Sequence, residues 1–282
     1  MSDAAGLEPI TITMTRYREP DWLVREALDS LVRQTGVSGQ VIFLDQNWRE
    51  DFACDVEALS GDALRFRCLP CEERGIAYAR MRGFELAETD IILQIDPDVI
   101  AEPDWASHLV AALSEKETAI AGSRILPYWR GRPLLLAKSR VVRDQYSILD
   151  LGQDTRDVPK IIAAGYGVRK SAAPQHMYFD QSFGRVGGVL FGGEETDLCK
   201  RVCADGGRVV YCGKAIVHHQ ILPERLKWSW IMKRLFFAGA GRRQQGGAPA
   251  PSQKPGLWDW VLLPFILPPY ALGYCCATVA KR

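Results

Sequence analysis

Residues 10–15 (ITITMT) alternate large and small side chains, and residues 41–44 (VIFL) and 91–95 (IILQI) are almost continuously apolar. Short runs of this kind, bounded by polar residues, predict β-strands. Between the first two, Pro20-Asp21 opens a stretch in which Trp22, Leu23, Leu28, Leu31 and Val32 recur at helical spacing, with Arg25, Glu26 and Asp29 between them. That pattern predicts an amphipathic helix and, with its flanks, a β-α-β unit whose strands pair in parallel. Helices are also predicted over residues 76–86, 103–113 and 195–204, and strands over 118–125 and 208–211. The alternation predicts an α/β fold, a mostly parallel open sheet flanked by helices. In such sheets ligands bind beyond the C-terminal strand ends. Asp45 closes one apolar run and Asp96-Pro97-Asp98 closes another, so both sit where a ligand is expected. Residues 140–151 read as a helix and 153–160 as a polar, mobile loop. The glycines of Ala164-Gly165-Tyr166-Gly167 would let backbone approach a ligand closely.

The chain changes character after residue 225, which divides it into a catalytic region, 1–225, and an extension, 226–282. Residues 225–237 (RLKWSWIMKRLFF) interleave basic and bulky apolar side chains, as an interfacial helix does, with Trp228 and Trp230 as interfacial anchors. Residues 238–254 read as a linker, in which Arg242-Arg243 suits anionic headgroups. Residues 260–280 then carry no charge, about the length that spans a bilayer, but Pro264, Pro268 and Pro269 interrupt them. The expectation is a kinked or interfacial segment that associates with a membrane.

Charge and cysteine content narrow the picture. With 35 Lys and Arg against 34 Asp and Glu, the chain has no basic excess for nucleic acid, so no nucleic-acid partner is expected. Eight Cys without an N-terminal secretory signal predict reduced thiols on the cytoplasmic side, here at the membrane face. Cys68 and Cys71 form a CxxC pair, but no second pair or matched His pair completes a zinc set.

The candidate chemistry is acidic. Two carboxylates one residue apart at a strand end repel an anionic substrate unless a hard divalent cation, Mg²⁺ or Mn²⁺, lies between them and binds phosphate oxygens. Glu194-Glu195 opens a predicted helix, where the dipole favours acids; their juxtaposition also raises the pKa of one of them. His218 and His219 are adjacent on a predicted strand segment, so only one can face a site.

The order of these features resembles the family 2 inverting glycosyltransferases of the A-type nucleotide-diphospho-sugar fold, over about residues 9–226. Met14-Thr15-Arg16-Tyr17-Arg18 stands where the family has a Pro-Thr-Tyr-Asn-like stretch. Arg74-Gly75-Ile76-Ala77-Tyr78-Ala79-Arg80 looks like its Gly-x-x-x-Ala-Arg segment, although Met81 replaces the usual Asn. Phe179-Asp180-Gln181-Ser182-Phe183-Gly184-Arg185, running to Gly193-Glu194-Glu195-Thr196-Asp197-Leu198, is similar to the stretch that carries the family's catalytic acid. The resemblance implies donor contacts from Thr15, Tyr17, Arg18, Asp45, Gly75, Arg80 and Asp96, with Asp45 on the nucleobase. It implies metal ligation by Asp98, with Asp96 on the ribose or a metal-bound water and His219 as third ligand. Glu195 would be the base and Glu194 would orient the acceptor, with Gly192 and Gly193 allowing its close approach. The reaction implied is metal-dependent, inverting hexosyl transfer from a nucleotide-diphosphate sugar to a glycan or lipid-linked acceptor, as in polysaccharide biosynthesis. Two other readings are a non-catalytic membrane-attached scaffold on the same fold and a sugar-phosphate nucleotidyltransferase. The second requires a Gly-rich pyrophosphate loop after the first strand, which Thr15 to Pro20 lacks.

Overall fold

The computed structural model describes residues 8–73, 75–115, 117–179, 194–244 and 256–277. The first part is a run of alternating elements: β1 (Ile10–Arg16), α1 (Asp21–Val32), β2 (Gly39–Asp45), α2 (Glu50–Glu57), β3 (Leu64–Pro70), α3 (Ile76–Leu86) and β4 (Ile91–Ile95). All four strands are parallel, in the spatial order β3-β2-β1-β4. β1 and β4 are buried along their whole length, which explains their near-continuous apolar or small side chains. The chain winds outward to β3, then returns to place β4 on the other side of β1. That reversal leaves a crevice at the strand ends, and Met14 pairs with Ile95, so Arg16 and Asp96 both border it.

The second part is β5 (Val99–Ala101), α4 (Trp105–Ser114), β6 (Thr118–Trp129), α5 (Arg140–Gln145), β7 (Arg156–Asp157), β8 (Gly165–Arg169), α6 (Glu194–Ala204) and β9 (Arg208–Ile221). β8 enters antiparallel between β4 and β6, and β5 and β7 pair antiparallel with β9, so the sheet is mixed beyond its parallel half. Three local expectations are corrected. The predicted 208–211 strand runs on to Ile221, with a register shift opposite Ser123 and Arg124 that lets it stay paired with β6. The helix expected over 140–151 stops at Gln145, because Ser147 takes a left-handed φ of 56° and Leu149 bridges to Ile125. The loop expected over 153–160 holds a two-residue strand, Arg156 and Asp157 pairing with Tyr211 and Val210.

The C-terminal part is helical: α7 (Trp228–Gln244), α8 (Leu257–Val261) and α9 (Leu263–Cys276). The helix expected over 225–237 begins at Trp228, after a tight 3-10 turn over Pro223–Leu226. α7 and α9 cross with their backbones close together. A Cβ on Gly239 would lie 2.0 Å from the Tyr270 carbonyl oxygen, and one on Gly273 would lie 1.8 Å from that of Phe236. Ile231, Leu235, Leu262 and Ile266 share a small core with Leu136, Val142, Tyr146 and Ile221, so the helices are packed onto the sheet region. Among the described residues no helix is long and apolar enough to cross a membrane. The uncharged stretch is divided between α8 and α9, with Pro268 and Pro269 inside the latter.

Candidate active site

The end of β1 meets the end of β2 through a buried ion pair. Arg16 donates from Nε to Asp45 Oδ1 at 2.8 Å and from Nη2 to Asp45 Oδ2 at 2.5 Å, and it reaches Asp21 at 2.7 Å. Burial alone would lower the Arg16 pKa; the bonds to Asp45 and Asp21 overcome it and raise it. Asp45 Oδ1 also accepts the Asn47 backbone N–H at 2.8 Å, so its two oxygens are held by Arg16 and its own turn. Thr15 is buried beside this pair. Tyr17 and Arg18 emerge from the strand end exposed, the Arg18 guanidinium 4.8 Å from the Tyr17 ring centroid. Gly75 caps α3 with a φ of 135°, a conformation that favours glycine; Arg74 lies outside the described residues.

Arg80, on α3, joins the end of β4 to the start of α6. Its Nη2 donates to Asp96 Oδ1 at 2.8 Å, and its Nη1 donates to Glu194 Oε1. The guanidinium is fully buried; burial would lower its pKa, but the charges of Asp96 and Glu194 raise it instead. Asp96 is pushed up by burial, against the pull of Arg80. Glu195, the next residue on α6, is pushed up to about 7 by burial and then by the charge of Glu194. The two acids therefore differ. Glu194 is buried on a permanent cation, and Glu195 is half-buried with a pKa near neutrality, as a general base requires. The Tyr166 hydroxyl, on β8, lies in the same electrostatic neighbourhood, fully buried and, among the described residues, with no hydrogen-bond partner.

Asp98, His219 and Arg225 form the third group. β5 pairs with β9 so that Val99 faces His219, and the Gln220 N–H donates to the Asp98 carbonyl at 2.9 Å. This register brings the two side chains together, with His219 Nε2 3.3 Å from Asp98 Oδ2. His219 Nδ1 is 2.5 Å from the Tyr146 carbonyl, which can only accept, so Nδ1 carries a proton and the ring turns its Nε2 towards Asp98. Arg225 adds a cation to this pair, its Nη2 3.0 Å from Asp98 and its Nη1 3.3 Å from His219. A carboxylate oxygen and a backbone-oriented imidazole are also a fitting pair of donors for Mg²⁺ or Mn²⁺. His218 points elsewhere and meets Glu102 at 2.6 Å.

Among the described residues no three His, Cys, Asp or Glu are arranged to hold a metal, since Asp96 is turned to Arg80. Asp98 and His219 are together; Asp96 is not with them as a ligand. Two protein donors suffice for an ion completed by phosphate oxygens and water. Residues 180–193, including Gly192 and Gly193, lie outside the described residues. Trp230 departs from interfacial anchoring: it stacks on buried Tyr146 at 5.3 Å between centroids, backing the carbonyl that holds His219. Trp228 is about half exposed, edge-on to Phe265. Cys68 and Cys71 are buried free thiols, and burial pushes Cys68 up to about 12.

The residues that sequence reasoning missed are Arg16, Tyr146, Tyr166 and Arg225. Arg16 and Arg225 stand inside motifs quoted for their neighbours. Only strand register and the turn after β9 turn their guanidinium groups onto Asp45 and Asp98.

Comparison with known proteins adds to this geometry. Residues 11–174 match the family described as Glycosyl transferase family 2. A glucosyl-dolichyl phosphate glucuronosyltransferase of Haloferax volcanii is 27% identical over 242 residues, covering 83% of this chain and 74% of its own length. A pre-mycofactocin glycosyltransferase of Mycobacterium tuberculosis is 26% identical over 220 residues, 74% of this chain but 42% of its own length. The mannosyltransferase PcManGT of Pyrobaculum calidifontis, solved with GDP-Man and Mn²⁺, superposes with a TM-score of 0.62 over 98% of this chain and 76% of that one. GalNAc-T7, solved with UDP, GalNAc and Mn²⁺, superposes with a TM-score of 0.60 over 86% of this chain and 52% of that one. At 15% and 12% identity these two establish the shared fold.

Proposed function

The chain belongs to glycosyl transferase family 2 and is a glycosyltransferase that uses a nucleotide-sugar donor; from that premise we propose metal-dependent, inverting transfer of a hexose-type sugar to a lipid-linked acceptor at a membrane surface. The observation that carries the proposal is Arg80, whose guanidinium bonds Asp96 at the donor strand end and Glu194 beside Glu195. In this reading donor phosphates and acceptor base border one cleft.

In this reading Tyr17, Arg18 and Gly75 border the nucleotide, and the Arg16–Asp45 pair sets the edge on which the base rests. Asp98 and His219 would hold a Mg²⁺ or Mn²⁺, which would supply positive charge against the departing diphosphate. Arg225 lies against the same two side chains and donates to phosphate oxygens. Glu195 accepts the proton of the attacking acceptor hydroxyl. The new C–O bond forms at the anomeric carbon as the bond to the diphosphate breaks on the opposite face. Arg80 positions the acids from behind, its amines already spent on Asp96 and Glu194.

The acceptor and the membrane rest on other support. The Haloferax relative is named for a dolichyl phosphate acceptor. On the C-terminal helices Leu257, Trp260, Phe265, Leu267 and Leu272 are each at least half exposed, and Arg242 and Arg243 end α7. Such a surface suits partial immersion in an anionic lipid face better than spanning. Residues 226–282 are then the membrane-associating region and 1–225 the catalytic one.

The test is a panel of UDP- and GDP-sugars with Mn²⁺, with and without polyprenyl-phosphate-linked sugars, read as nucleoside diphosphate release. Acceptor-stimulated release, abolished by chelation and by Asp98→Asn, is expected. Absence of release from every donor, with nucleotide binding unchanged in Asp98→Asn, would overturn the reading.

A further inference from the structure

A single tyrosine reaches the Asp98 group from behind with both of its polar ends. Tyr146 follows α5 directly and is buried. Its backbone N–H turns back to the Arg143 carbonyl at 2.9 Å, so its own carbonyl lies past the last helical turn, open to a side chain. That carbonyl accepts the His219 Nδ1 proton at 2.5 Å. At the other end of the residue, the hydroxyl donates to the Arg225 carbonyl at 3.2 Å. His219 and Arg225 are the two side chains that lie against Asp98. Filling the core would need the ring alone; the hydroxyl and the carbonyl do something more.

The C-terminal helices hold this tyrosine in place. Trp230 of α7 stacks on its ring at 5.3 Å between centroids and 7° between planes, and Trp129 of β6 meets it edge-on at 5.5 Å. The other end of α5 is clamped from α8. Buried Asp259 accepts the Ser139 hydroxyl at 2.7 Å and the Val141 N–H at 3.3 Å through Oδ1, and the Gly256 N–H at 2.7 Å through Oδ2. Past Tyr146, Leu149 and Ile125 exchange backbone bonds at 2.8 and 3.0 Å, which ties the chain to β6. The backbone around Tyr146 is thus fixed from α7, from α8 and from the sheet. An imidazole takes its rotation from the acceptor of its second nitrogen. A displaced Tyr146 carbonyl therefore turns His219 Nε2 away from Asp98.

We propose that Tyr146 is the positioning residue of the Asp98 group: its carbonyl sets His219, its hydroxyl sets the turn that carries Arg225, and Trp230 holds both through the ring. The inference rests on the reading of Asp98 and His219 as metal donors. It makes the C-terminal helices part of the site itself, in addition to any membrane attachment.

The full chain is titrated calorimetrically with Mn²⁺ without nucleotide, then with UDP and with GDP at saturating Mn²⁺. The His219 Nδ1 proton is followed by NMR without metal and assigned by its loss in His219→Ala. Trp230→Ala is expected to bind Mn²⁺ about tenfold more weakly and to lose the Nδ1 signal to solvent exchange, with recovery of both in Trp230→Phe. Tyr146→Phe keeps the ring and the carbonyl, so Mn²⁺ affinity and the Nδ1 signal should hold while the nucleoside diphosphate binds about fivefold more weakly. Trp228→Ala, on the same helix but edge-on to Phe265, should change none of these. A Trp230→Ala protein that melts lower yet keeps wild-type Mn²⁺ affinity and the Nδ1 signal would reduce the stack to packing and overturn the proposal. Wild-type nucleotide affinity in Tyr146→Phe overturns it equally, and that variant retains the ring should Trp230→Ala fail to fold. If wild type takes up no Mn²⁺ or nucleotide, the metal reading fails, while the Nδ1 signal in Trp230→Ala and Trp230→Phe still decides the positioning.

Discussion

Asp96 and Glu194 share a single guanidinium, that of Arg80. One acid follows directly on β4 and the other begins α6. Neither the sheet nor the helix alone would fix their separation. A fully buried arginine with a carboxylate on each amine acts as a fixed spacer between them. Replacing it exposes how much of the site depends on that spacing. Arg80→Met leaves buried Glu194 and half-buried Asp96 without their cation, at a cost of about 3–5 kcal/mol in stability, read by urea denaturation. Arg80→Lys keeps the charge but loses the fork, so its stability should fall between the two while transfer drops towards that of Arg80→Met.

Glu195 links activity and stability to pH with opposite signs. As the base it must be ionised, so kcat should rise with pH through about 7. Glu195→Gln should lower kcat by about 10²–10⁴-fold. Because burial and Glu194 raise its folded-state pKa above the ordinary 4.5, the folded protein holds the proton more tightly. The associated stability is present below about pH 4.5 and is lost as pH rises through about 7. Glu195→Gln should therefore melt higher than wild type at pH 8, with the gap closing by pH 5. Glu194→Gln should move the acidic limb of the rate profile to lower pH, by removing the neighbouring charge.

Asp98, His219 and Arg225 predict variants of opposite sign. His219→Ala removes an oriented donor and should weaken Mn²⁺ binding by at least about tenfold, measured by titration without nucleotide. Arg225→Gln removes the cation that lies on both donors and should tighten Mn²⁺ under the same conditions. It should nevertheless slow transfer, since the leaving diphosphate loses a donor.

The α7–α9 crossing predicts a separation of stability from membrane binding. Gly273→Leu places a side chain against the Phe236 carbonyl and should lower the melting temperature. Phe265→Glu with Leu272→Glu changes only exposed positions, so melting should hold while flotation with anionic vesicles is lost. Vesicle binding by wild type should weaken as salt rises from about 0.1 to 1 M, because the contribution of Arg242 and Arg243 is screened.

How far the chain could be read before folding differs from place to place. The helix predicted over 76–86 and the strand over 91–95 are the observed α3 and β4, since both carry one strong period and clear stops. Asp45, Asp96 and Asp98 were legible as strand-end acids because parallel strands put their ends on one edge. β8 and β5 were not legible as antiparallel, because direction is set by the partner strand and not by local pattern. The C-terminal stretch read as uncharged. Its division into α8 and α9 and its packing through Gly239 and Gly273 depend on contacts with α7.

The sequence by itself determined the alternation of strands and helices, the acids at the strand ends and the acidic pair at the start of α6. Each is a local property of periodicity and punctuation. Tertiary structure alone decided which charges pair: Arg16 with Asp45, Arg80 with Asp96 and Glu194, Arg225 with Asp98. The physical reason is range. Hydrophobic periodicity acts over a few residues, whereas a buried carboxylate takes its pKa from whatever cation the fold brings within a few ångströms, however distant in the chain.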